Sequence, residues 1–145
     1  MAELSRYFFL AGALPFLILG IAHAVVTPLA QTARKGLSPR DAELPSAMAR
    51  SRVRLTGGMD MWRGWVGFNL SHSVGILAFG AFVVVTGLSS EAFTQQAAVA
   101  VPLSLLVSTS YLCLAVKYWF RVPVIGCVLS VGCFATSWVL GAMAS

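Results

Sequence analysis

The chain has 145 residues, 58% of them hydrophobic and 10% charged, with a formal net charge of +5. Mean hydropathy is +0.83. Soluble domains carry about a quarter charged residues, so this composition excludes a water-soluble globule and indicates a chain that lives in lipid.

A spanning helix needs about 20 consecutive apolar residues. Four stretches qualify, at about 7–28, 62–86, 97–116 and 122–143, and the segment 29–61 is the one sizeable loop between them. The expected fold class is all-α: a single-domain four-helix transmembrane bundle with a basic cytoplasmic loop containing short helices.

The first segment follows Glu3 and Arg6 and contains Pro15, which removes a backbone hydrogen bond and predicts a kink. Phe9, Gly12, Phe16, Gly20, His23 and Thr27 fall within about a quarter of its circumference and predict its inward face. Ala22-His23-Ala24 also resembles a signal-peptide cleavage triplet. The apolar run continues through Val25 and Val26, and the positive cluster lies after the segment, which favours a retained helix.

That cluster is Arg34, Lys35, Arg40, Arg50, Arg52, Arg54 and Arg63; the third connection adds Lys117 and Arg121, whereas the second holds only Glu91. The positive-inside rule then puts the long loop in the cytoplasm and both termini outside. It also accounts for the basic pI of 9.6 without nucleic acid as a partner. Within the loop, Ser38-Pro39 is a helix-start signal, and a second short helix is expected over Ser46–Leu55, ended by Gly57-Gly58. Leu44, Met48 and Leu55 share one stripe of that pattern, which suits a segment lying on the membrane with its arginines on anionic lipid headgroups.

In the second span, Val66, Leu70, Val74, Leu77, Ala81 and Val84 share a face expected to meet lipid. Gly67, Ser71 and Gly75 form a row of small residues expected to meet a tightly packed neighbour. Trp65, Asn69, His72 and Ile76 make a third stripe, also turned inward, with Ser73 beside it. Ser104, Ser108, Tyr111 and Ala115 align in the third span, where Pro102 marks a first turn or a bend. Gly126, Ser130, Cys133, Ser137 and Gly141 align in the fourth. Cys113, Cys127 and Cys133 lie within spans, form no CxxC pair and read as packing residues.

Polar groups in hydrocarbon must face protein, water or a ligand. Asn69, His72, His23, Trp65 and Ser73 are therefore the candidate ligand-binding set. Interhelical hydrogen bonding is the plainest role for them. A second is a pocket for the polar end of a lipid-like or quinone-like molecule, with His72 as proton donor or acceptor. In a lipid- or quinone-handling enzyme that histidine would be essential for turnover. A third role is axial ligation of haem b by His23 and His72. Counting residues from the expected span ends puts these histidines roughly 7 Å apart in depth, which opposes shared axial ligation. No metal site is expected, because no intramembrane carboxylate is available as a third ligand.

The pattern Met-Trp-x-x-Trp-x-Gly-Phe-Asn-x-Ser-His-Ser-x-Gly at Met61–Gly75 resembles a family of small four-span bacterial inner-membrane proteins of unknown function, as does the loop sequence SPRDAEL at Ser38–Leu44. The resemblance covers the first two spans and the loop. It implies a bacterial cytoplasmic membrane and a four-span bundle, and it transfers no catalytic residue. The function expected is that of an accessory protein or a hydrophobic-ligand-binding bundle, packing against itself, another membrane subunit or a ligand. The alternative is a haem- or quinone-binding redox protein using His23 and His72.

Overall fold

The computed structural model describes residues 1–32 and 36–144, apart from the side chains at 31 and 32. Arg34 and Lys35 of the basic loop lie outside the described residues. Among those described there are five helices and no strand: α1 (Ala2–Thr32), α2 (Leu44–Arg50), α3 (Met61–Leu88), α4 (Ser90–Tyr118) and α5 (Arg121–Ala142). All but α2 are long and apolar enough to cross a membrane, which fits a multi-pass membrane protein.

α1, α3 and α4 overrun the apolar stretches that mark them in sequence, whereas α5 matches its stretch to within a residue at each end. α4 starts at Ser90, well before Ala97, because the Ser89 hydroxyl accepts from the Ala92 amide and caps a polar first turn. Hydropathy marks where a helix meets lipid and not where its hydrogen bonds begin. Pro102 is consequently an interior residue of α4.

The chain divides into two compact units, Met1–Leu19 with Ile76–Ser145, and Gly20–Gly75. The first is a bundle of four helical segments around an aromatic core. Phe9, Ala13 and Phe16 of α1, Ile76 and Val83 of α3, Phe93, Ala100 and Val101 of α4, and Phe134 of α5 form one buried cluster. Phe9 sits 5.2 Å from Phe93 and 5.7 Å from Phe134 by ring centroid, and Phe16 meets Phe79 and Tyr111 edge to face. Tilted and edge-on contacts of this kind suit the ring quadrupoles better than a flat sandwich.

Small residues set the helix spacing in this unit. A methyl group placed on Gly12 would stand 2.5 Å from the Phe134 ring, and on Gly80 or Gly87 it would stand 2.6 Å from Leu17 or Leu10. Buried hydroxyls add cross-helix bonds: Ser130 Oγ donates to the Gly12 carbonyl at 2.9 Å and Ser5 Oγ to the Ser137 carbonyl at 2.8 Å. Ser104, Ser108 and Ala115 are fully buried on α4, and Ser130 and Ser137 on α5, as their alignment in sequence predicts.

Arg6 has its own role in the same unit. Its guanidinium donates to the Gly87 and Leu88 carbonyls, at 3.0 and 3.4 Å, and to Glu3 at 2.7 Å. Those are carbonyls at the end of α3, where the helix has no amides left to engage them. A cation there also complements the helix dipole.

The second unit holds the end of α1, α2, a return loop and the first half of α3. No helix begins at Ser38-Pro39; instead Asp41 Oδ1 accepts from the Glu43 amide in a tight turn, and α2 starts at Leu44 with Pro45 in its first turn. α2 stops at Arg50, short of Leu55, because Ser51 turns extended and the chain folds back on itself. Arg52 and Asp60 pair across an isolated antiparallel bridge, flanked by Val53 N to Met59 O and Met61 N to Ser51 O. Gly57-Gly58 is the tip of that return and not a helix stop. Leu55 is 93% exposed there, so the expected stripe of Leu44, Met48 and Leu55 does not lie on one helix.

Candidate functional site

The sequence-selected polar residues of the second unit come together on facing sides of α1 and α3. His23 Nε2 lies 3.1 Å from Asn69 Oδ1. The Asn69 amide nitrogen donates to the Trp65 carbonyl one turn earlier, at 2.7 Å, which leaves its oxygen for His23 and assigns His23 Nε2 as the donor. Thr27 Oγ1 donates to the His23 carbonyl and Ser73 Oγ to the Asn69 carbonyl, each bonding back along its own helix. Thr27 and Ser73 are almost completely buried.

His72 packs edge-on against His23, with ring centroids 5.3 Å apart and planes at 82°. Its other flank carries Phe68, stacked at 6.3 Å. Trp65 lies against Trp62, whose ring is parallel at 5.1 Å. The Phe68–His72 contact is absent from the sequence expectation, although their spacing of four on a helix is a signal for it.

Three expectations are corrected by these positions. The depth difference between the histidines rested on α1 ending near residue 28; it continues to Thr32, and α3 starts at Met61. His23 and His72 are then nearly level, offset by roughly 3 Å at 1.5 Å rise per residue. The row of Gly67, Ser71 and Gly75 does not meet a tight neighbour. All three are exposed, and a methyl group on either glycine would find nothing within 4 Å. Val66, expected to face lipid, is 8% exposed, whereas Leu70 and Val74 of the same set do face outward.

The fit of a haem follows from ring placement. Two axial imidazoles must flank a macrocycle with iron between their nitrogens. Here the rings touch edge to face and His23 Nε2 points at Asn69, so the pair as packed does not fit that group. Among the described residues no three His, Cys, Asp or Glu side chains gather at one point. Cys113 is exposed on its helix, Cys127 buried and Cys133 half-buried, all as free thiols.

Comparison with protein-family models, with curated proteins and with solved structures yields no match to this chain.

Proposed function

We propose that the chain is a non-catalytic, accessory multi-pass protein of a bacterial cytoplasmic membrane, in which His23, Asn69 and His72 fasten α1 to α3. The long loop lies in the cytoplasm and both termini outside, as the distribution of Arg and Lys among the loops indicates. Arg50, Arg52 and Arg54 are exposed on the loop and suit anionic headgroups. The resemblance of Met61–Gly75 to small bacterial inner-membrane proteins supports the compartment.

The observation that carries the fastening role is how the polar groups are engaged. His23 Nε2 meets Asn69, the Asn69 amide meets Trp65, and Thr27 and Ser73 bond back to their own helices. A constellation built for catalysis would aim donors and acceptors at a common point where a reacting atom could sit. Here His23 and Asn69 are aimed at each other, and the other donors are aimed at the backbone of their own helices. The outward row of Gly67, Ser71 and Gly75 supports association with another membrane helix, a second copy or a separate subunit, since small residues allow close approach of backbones.

The test is an absorption spectrum and a thermal melt of wild type, His23→Ala and Asn69→Ala, with native mass spectrometry of protein extracted gently from its own membrane. Lower melting temperatures with no visible chromophore, and a bare or subunit-bound mass, are expected. A Soret band in the wild type that is lost in His23→Ala, or a stoichiometric quinone mass, overturns the proposal in favour of a redox protein.

A further inference from the structure

The turn between α4 and α5 carries charge of one sign. Lys117 lies in the last turn of α4 and Arg121 opens α5, with Trp119 and Phe120 between them. Four residues of chain separate the two cations by at most about 14 Å, so both can serve one headgroup. Among the described residues neither has a carboxylate partner; the ion pair present is Arg6 with Glu3. The side-chain carboxylates of this unit, Glu3 and Glu91, are at its other end. Glu91 stands about 39 Å along α4 from Lys117 at 1.5 Å per residue. Glu3 is held near the α3–α4 joint by Arg6, which also bonds Gly87 and Leu88.

The same turn has the chemistry of a membrane interface. Tyr118, Trp119 and Phe120 are all exposed, and aromatic rings gather where acyl chains meet headgroups. Lys117 Nζ sits over the Tyr118 ring, 5.1 Å from its centroid. Leu114 and Ile125 are exposed one turn back from Lys117 and Arg121, on the same helix faces. Cations at headgroup level beside apolar side chains match a phosphate and its acyl chains. A phosphocholine headgroup brings a cation of its own, which Lys117 and Arg121 repel. A headgroup with a phosphate and no cation complements both.

We infer that the α4–α5 turn binds an anionic glycerophospholipid. Lys117 and Arg121 engage its phosphate, while Leu114 and Ile125 lie against its acyl chains. This site is separate from Arg50, Arg52 and Arg54, which belong to the other unit.

The experiment uses the full chain in phosphatidylcholine vesicles, photolabelled by phosphatidylglycerol carrying a diazirine on one acyl chain. Phosphatidylcholine with the same labelled chain is the comparison. Both leaflets have one composition, so the orientation of the protein does not affect the result. Peptides containing Leu114 and Ile125 should be labelled about 25-fold more by phosphatidylglycerol at equal mole fraction, about fivefold for each cation. Lys117→Gln should lower that preference about fivefold, and Lys117→Gln with Arg121→Gln should abolish it. Both side chains are exposed, so labelling by phosphatidylcholine should stay at the wild-type level in these variants. A preference that survives in the double variant marks general attraction to a chain of net charge +5 and overturns the inference. Equal labelling of the wild type by the two probes overturns it as well. Inorganic phosphate added at constant ionic strength should leave the preference unchanged; its loss would assign the cations to a free anion and overturn the lipid.

Discussion

His23 Nε2 and Asn69 Oδ1 meet at 3.1 Å across 46 residues of sequence, joining α1 to α3 within the second unit. Lipid tails are as apolar as leucine, so helices in a bilayer gain little from hydrophobic burial against one another. A bond between a histidine and an amide therefore weighs more in deciding which faces meet than it would in a soluble core.

Asn69→Ala should lower unfolding stability by about 1–2 kcal/mol, because it removes the bond and leaves His23 Nε2 half-buried without its acceptor. His23→Ala should cost about the same. The double variant should cost less than the sum, with a coupling of about 1 kcal/mol between the two sites. Equilibrium unfolding in mixed detergent measures all four corners of that cycle.

Glycine substitutions should separate by the space each would meet. Gly12→Ala drives a methyl group into the Phe134 ring, a fully buried aromatic that cannot swing aside, and should cost about 1–3 kcal/mol. Gly67→Ala and Gly75→Ala enter open space and should be neutral or stabilising by up to about 1 kcal/mol. Melting temperatures of the three variants in one detergent decide it. A Gly12→Ala protein as stable as Gly67→Ala would contradict the packing of α1 on α5.

Arg6→Ala should lower the melting temperature by releasing the Gly87 and Leu88 carbonyls at the end of α3. Arg6→Lys should recover part of the loss, since an ammonium supplies the charge but not the planar fork of donors. Amide exchange in the last turn of α3 should quicken in the alanine variant and less so in lysine.

Asp60 caps α3 by accepting from the Arg63 amide at 2.8 Å and also closes the return loop opposite Arg52. Asp60→Ala should cost about 1 kcal/mol and speed exchange of the Trp62–Gly64 amides about fivefold. Asp60→Asn, which can still accept that bond, should restore most of the protection.

The architecture was largely legible from composition and hydropathy, and so was the inward face of α1. Phe9, Gly12, Phe16, Gly20 and Thr27 are buried and His23 half-buried, because polar and small residues repeat at helical spacing on that helix. On α3 the inward stripe of Asn69, His72 and Ile76 was legible too, but the row of small residues was not. In a soluble helix, polarity tells inside from outside; in a spanning helix both sides are apolar, so Gly67, Ser71 and Gly75 read as a packing face although they point outward. The approach of His23 to His72 was obscured for a different reason. The first span's end drawn by hydropathy stops short of α1 itself, and one extra turn of α1 removes most of the depth difference.

The joint between α3 and α4 is a single residue, Ser89. It leaves no slack in which a change of length could be absorbed. One inserted or deleted residue there would rotate α4 by about 100° against everything before it. Ser104, Ser108 and Ala115 would all leave the interior together. The joint thus behaves as an indexing pin, in which the number of residues sets the angular register of α4 on α3.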